Sequence, residues 1–121
     1  MPRVLVIEDE ASIQKLAKTN LNASGYEVLV ANNGEEGLKI AQQEALDLIL
    51  LDVRLPGISG WDVLMLLESD QKLHKIPVVV ITATVPQRPD GMFPSLRTAG
   101  HLTKPFEIED LLLKLKQALG M

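Results

Sequence analysis

The stretch Leu48-Ile49-Leu50-Leu51 is apolar at every position and then meets Asp52. Side chains alternate between the two faces of a strand, so an unbroken apolar run is buried on both, the condition of a strand inside a parallel sheet covered by helices. Runs of this character recur at Val4 to Ile7, Val28 to Ala31, Leu46 to Leu51 and Ile76 to Thr82, with a weaker one at His101 to Thr103. Helical periodicity fills the intervals. Ile13, Leu16, Ala17 and Leu21 share one face of a segment that stops near Gly25. Asn33, with Glu36 three residues on as a capping-box-like partner, opens a second that buries Leu38 and Ala41, and a third runs from about Trp61 to Ser69. In the last segment Ile108, Leu111, Leu112, Leu115 and Leu119 form a stripe fit to lie on a sheet. With right-handed crossovers the expected fold is α/β, a doubly wound (βα)5 unit around a five-stranded parallel sheet.

One interval resists this pattern. Between Thr84 and Gly100, where a helix is due before the last strand, the chain carries Pro86, Pro89, Gly91 and Pro94. Interior prolines remove a hydrogen bond and clash with the preceding turn, so only a short helix from Pro94 to Ala99 is expected there, the rest being loop. At 121 residues the chain is one domain, spanning 1–121, large enough to bury a core unaided. Aromatics are only 3%, so that core is built from Leu, Ile, Val and Ala. Sixteen Asp and Glu against twelve Lys and Arg give a charge of -4, which argues against direct grip on nucleic acid or an anionic membrane. The absence of cysteine excludes a disulfide framework, a thiolate zinc site and a cysteine nucleophile. Glu8, Asp9 and Glu10 interrupt the N-terminal apolar stretch before it reaches signal-peptide length, and no run is long enough to span a membrane, so the expectation is a soluble cytoplasmic domain.

In open α/β sheets, ligands bind outside the carboxyl ends of the strands, where strand order reverses. Glu8 and Asp9 follow the first apolar run, Asp52 ends the third, Thr82 the fourth, and Lys104-Pro105 follow the fifth. A single carboxylate near a lysine is more often a structural ion pair than a site. Carboxylates, a hydroxyl and an ammonium on successive strand ends are a different case. Clustered carboxylates without a thiol or a nearby His suit a hard, oxygen-loving cation such as Mg2+.

These residues carry a resemblance over essentially the whole chain. Glu8-Asp9, the run Leu50-Leu51-Asp52-Val53-Arg54-Leu55-Pro56-Gly57, Gly60, Thr82-Ala83 and Lys104-Pro105-Phe106 stand in the order and at the intervals of the receiver domain of two-component response regulators, and the chain resembles the single-domain, chemotaxis-regulator-like members. The resemblance implies a flavodoxin-like three-layer sandwich and a phosphoacceptor at Asp52, loaded from the phosphohistidine of a sensor histidine kinase or phosphotransfer protein in a Mg2+-dependent step. Mn2+ is a substitute for Mg2+. By the same resemblance Asp9 ligates the metal directly and Glu8 mainly through water, with Asp52 and the backbone carbonyl of Arg54 completing the protein ligands. Thr82 and Lys104 each hold a phosphoryl oxygen, a cis Lys104-Pro105 peptide aims the lysine, and the side chains of Arg54 and Thr84 tune phosphoryl lifetime. Such a domain is not an enzyme beyond its own phosphorylation and dephosphorylation. Its output is a changed affinity for a downstream protein, with a homodimer through the fourth helix, fifth strand and fifth helix as the family's usual form.

Two features depart from the family. His101 stands where it carries Tyr or Phe that turns inward with Thr82, so that switch is weaker or pH-sensitive here, or His101 is an exposed strand residue. The proline-bearing segment puts the usual output face in doubt. Gly57 and Gly60 read as turn glycines, Trp61 as a half-buried or partly exposed neighbour of Asp52, and His74 as a solvated loop residue. Two alternatives stay open. One is a receiver-like interaction module that works without phosphorylation. The other is a haloacid dehalogenase-type phosphohydrolase, which would need a second Asp where Arg54 stands.

Overall fold

The computed structural model describes residues 1–82 and 98–120. Five strands, β1 (Arg3–Ile7), β2 (Glu27–Ala31), β3 (Leu48–Asp52), β4 (Val78–Thr82) and β5 (Thr98–Thr103), form one sheet in the order β2-β1-β3-β4-β5, and every pairing is parallel. Four helices are present among the described residues: α1 (Ala11–Ala23), α2 (Gly34–Gln43), α3 (Gly60–Ser69) and α4 (Ile108–Leu119). The expected α/β fold with its central parallel sheet is therefore observed.

Alternation along the strands splits the core into two layers. Val4, Val6, Leu48, Leu50, Val79 and Ile81 face Ala17 and Leu21 of α1 and Leu111 and Leu115 of α4. Leu5, Ile7, Ile49, Leu51, Val78 and Val80 face Ala41 of α2 and Val63, Leu64 and Leu67 of α3. All five residues of β3 are buried, as the unbroken apolar run requires. Each such Leu or Ile removed from water contributes about 1.5–3 kcal/mol.

Several local readings need correction. Leu16 lies at the edge of the apolar face of α1 and is 41% exposed, while Ala17 and Leu21 carry the burial. Leu38 is only half-buried on α2. Asn33 does cap α2, accepting from the Glu36 N–H at 2.8 Å, but the Glu36 carboxylate returns to the Asn32 N–H at 2.8 Å, so the box closes one residue early. β5 begins at Thr98, three residues before the apolar signal, so the helix expected from Pro94 cannot reach Ala99. The rest of that segment, with Thr84 and the family's helix before β5, lies outside the described residues. His74 is half-buried rather than solvated, its Nδ1 3.1 Å from the Asp70 carbonyl oxygen. Among the described residues no helix is long and apolar enough to cross a membrane.

Candidate functional site

β1 pairs with β2 on one side and β3 on the other, so the strand order reverses between β1 and β3. The carboxyl ends of these two strands hold the acids. The Glu8 N–H continues the ladder to the Ala31 carbonyl oxygen at 3.0 Å, which draws Glu8 into the sheet edge, and its side chain is fully buried. Asp9, one residue later, points the chain outward and is exposed. Asp52 is the last residue of β3 and is 1% exposed. Glu8, Asp9 and Asp52 each offer a carboxylate oxygen, and those atoms lie within 4.8 Å of one another.

The basic group arrives from β5. Thr103 pairs with Thr82, and the ladder runs one residue further, with the Lys104 N–H donating to the Thr82 carbonyl oxygen at 2.7 Å. The Lys104-Pro105 peptide is cis, as the resemblance implied. Lys104 Nζ donates to Asp52 Oδ2 at 3.1 Å, to Glu8 Oε1 at 3.3 Å and to Glu10 Oε1 at 3.3 Å. The Thr82 side chain is buried beside it at the end of β4. Asp52 Oδ1 accepts from the Arg54 N–H at 2.9 Å, so both Asp52 oxygens are engaged, one by backbone and one by Lys104. The Arg54 residue is otherwise exposed, as is His101 on β5, which pairs in register with Val80 on β4. Trp61 is half-buried at the start of α3, packed on the layer that α2 and α3 cover.

Burial and contact with Asp52 push the Glu8 carboxyl up to about 7, with Lys104 pulling the other way. Burial alone would lower the Lys104 ammonium, yet its bonds to Asp52 and attraction to Glu8 and Glu10 prevail and raise it. Glu8 Oε1 is taken by Lys104 and the Glu10 N–H, whereas Glu8 Oε2 is buried without a hydrogen-bond partner among the described residues. A buried acceptor in that state costs about 1–3 kcal/mol. An orphaned carboxylate oxygen within an all-oxygen donor set fits a hard divalent cation, which would satisfy the acceptor and offset the crowding of like charges.

Two residues at the site were not anticipated from the sequence. Glu10, the third acid in a row after β1, reaches Lys104, and Gln14 on α1 donates to the Glu8 carbonyl oxygen and, at 2.9 Å, to Asn32 Oδ1. The first had a signal in the uninterrupted Glu8-Asp9-Glu10 triplet; the second depends on how α1 lies across the sheet and had none.

The family description "response regulator receiver domain" matches residues 4–116. The chain is 38% identical over 118 residues to the uncharacterized transcriptional regulatory protein YkoG of Bacillus subtilis, covering 96% of this chain and 50% of that protein. It thus spans about half the length of that relative. Over 121 residues it is 33% identical to the polar-differentiation response regulator DivK of Brucella anthropi, covering 99% of this chain and 98% of DivK. Among solved structures, the response regulator TrrA of Thermotoga maritima, in complex with Mg2+ and BeF, superposes with a TM-score of 0.86 at 35% identity, covering 98% of this chain and all of that one. Because the family match takes in nearly every element that builds the acidic cleft, and DivK is matched along almost its whole length, the chain belongs to the response regulator receiver domains, the signalling modules of two-component systems.

Proposed function

We propose that residues 1–121 form one receiver domain in which Asp52 accepts a phosphoryl group from the phosphohistidine of a sensor histidine kinase or phosphotransfer protein. The observation that carries this reading is the Asp52 side chain, 2% exposed at the strand-order reversal and held by Lys104 Nζ at 3.1 Å. A carboxylate oxygen attacks phosphorus, the P–N bond breaks, and the bonding pair leaves with the imidazole, giving an acyl phosphate. Such transfer needs alignment and charge neutralisation more than acid or base help. The Arg54 N–H fixes one Asp52 oxygen and so orients the carboxylate. Lys104 already stands on the other and passes to a phosphoryl oxygen as the new charge forms, while the Thr82 hydroxyl holds a second.

Asp9, Asp52 and the Arg54 backbone carbonyl, with Glu8 acting mainly through water, would hold Mg2+, or Mn2+ in its place. When bound, the cation supplies positive charge that offsets the carboxylates and the incoming phosphate. The module catalyses only its own phosphorylation and dephosphorylation. The exposed Arg54 side chain guards the mouth and sets phosphoryl lifetime, a role shared by Thr84 in the resemblance. Phosphorylation in the cytoplasm then changes affinity for a downstream protein by coupling Thr82 to His101 and the β5 face, which is also where a homodimer would form.

Incubation with acetyl phosphate and Mg2+ is expected to add one phosphoryl mass, lost at alkaline pH and absent in Asp52→Asn. No mass gain by the wild type would overturn the reading. Equal partner binding by wild type and Asp52→Asn would favour a phosphorylation-independent interaction module instead.

A further inference from the structure

Glu10 has no part in the functional reading above, yet it is joined to the site at both ends. Its N–H donates to Glu8 Oε1 at 3.3 Å, and its carboxylate accepts from Lys104 Nζ at 3.3 Å. Lys104 is thereby divided between two sides. Glu8 and Asp52, both buried, draw it inward, and the side chain of Glu10, 56% exposed, draws it toward solvent. Glu10 and Lys104 form one wall of an open groove of about 330 Å3, lined also by Ile13, Leu16, Pro105 and Phe106.

We propose that Glu10 is a positioning residue that tethers Lys104 at the mouth of the cleft and competes with the phosphoryl group for it. This rests on the reading that Asp52 takes the phosphoryl group and Lys104 follows it. An ammonium shared among three carboxylates must give up part of that set to meet a phosphoryl oxygen, and the exposed contact is the one that solvent can replace. While Glu10 holds it, less of the Lys104 charge is available at Asp52. The tether therefore slows loading and keeps the lysine partly covered.

Contact and mere charge can be separated, because Glu10→Ala removes both whereas Glu10→Asp keeps the charge and shortens the reach by one methylene. The present contact is already long at 3.3 Å, and Lys104 is held on its inner side by Asp52 and Glu8, so it cannot follow a retreating carboxylate. Both variants are expected to accept phosphoryl from acetyl phosphate and Mg2+ about two- to fivefold faster than the wild type at low salt, the range of a partly exposed ion pair. In 1 M NaCl, where the screening length falls to about 3 Å, the gain should shrink toward none. A second readout needs no phosphorylation: acylation of Lys104 by an amine-reactive ester, followed by peptide mass mapping, should rise by a similar factor in both variants.

If Glu10→Asp behaves as wild type in both assays, Glu10 contributes only to the general field and the tether is wrong. Wild-type behaviour of both variants reduces the contact to a surface ion pair without consequence and equally overturns it. Should the wild type take up no phosphoryl group, the phosphoacceptor reading fails, and the labelling of Lys104 still decides the tether.

Discussion

A Cβ placed on Gly60 would lie 2.3 Å from the Asp52 carbonyl oxygen and 2.3 Å from Val53 Cα. Both are backbone atoms at the end of β3, so no side-chain rotation can make room, and either α3 or β3 must shift. Gly60→Ala is therefore expected to destabilise the fold by about 1–3 kcal/mol or more and to disturb the Asp52 cleft, measured as a lower urea midpoint with weakened Mg2+ binding. An unchanged midpoint would show that the α3 entrance can slide. Gly57 needs glycine for a different reason, its φ of 77°. From the sequence both residues read as turn glycines, which is correct for Gly57 and incomplete for Gly60. The close approach exists only once α3 packs on β3, and spacing alone carries no sign of it. Asp52, Glu8, Asp9 and Lys104 were legible because each directly ends or follows an apolar run, and the parallel sheet brings such positions to one edge. Gln14 was not, since its partners, the Glu8 carbonyl oxygen and Asn32 Oδ1, come within reach only once α1 packs on the sheet.

Elements differ in how openly they declare themselves. β3 and β4 announce their burial through unbroken apolar residues, whereas β5 starts Thr98-Ala99-Gly100, with little apolar side chain to mark it. Its register against β4 also slips between Val78 and Val79, so that the pairing skips Ala99. Tertiary pairing, not local preference, makes that strand. The capping box on α3, Ser59 with Asp62, carries a Ser-x-x-Asp signature that helix reading from Trp61 passed over. Where α3 ends, Asp70 organises the next turn: Oδ1 accepts from the Lys72 and Leu73 N–H groups at 2.8 and 3.0 Å, and Oδ2 accepts from Gln42 Nε2 of α2 at 2.8 Å. The Gln42 bond, then the two N–H groups, hold its carboxyl below the ordinary 3.8. A depressed folded value means that the stabilisation is complete above 3.8 and is lost as pH falls through the folded value. Asp70→Asn should unfold more easily at neutral pH yet lose less stability on acidification, the two unfolding curves converging at low pH. Parallel curves from about pH 5 downward would show that these bonds do not couple protonation to folding.

At the scale of the whole molecule, the charge of -4 matters less than where it sits. Glu8, Asp9, Glu10 and Asp52 crowd one strand edge against Lys104, and two of the acids are buried. The fold holds this arrangement because the layers on either side of the sheet outweigh its repulsion. A cation that binds only this folded arrangement must then stabilise the whole domain by RT ln(1 + [L]/Kd), about 1.4 kcal/mol at tenfold excess over Kd. For a chain of this size that is a rise of about 3–6 °C in Tm. Melting in Mg2+ against melting in chelator is expected to show this rise in the wild type. In Asp52→Asn two effects act in opposite directions: one buried negative charge is gone, so the metal-free protein should melt higher than metal-free wild type, while one ligand is lost, so the added rise with Mg2+ should shrink. Both signs follow from the same cluster. A variant that melts lower without metal and gains as much with it would mean that Asp52 supports the fold and that the cation is held elsewhere.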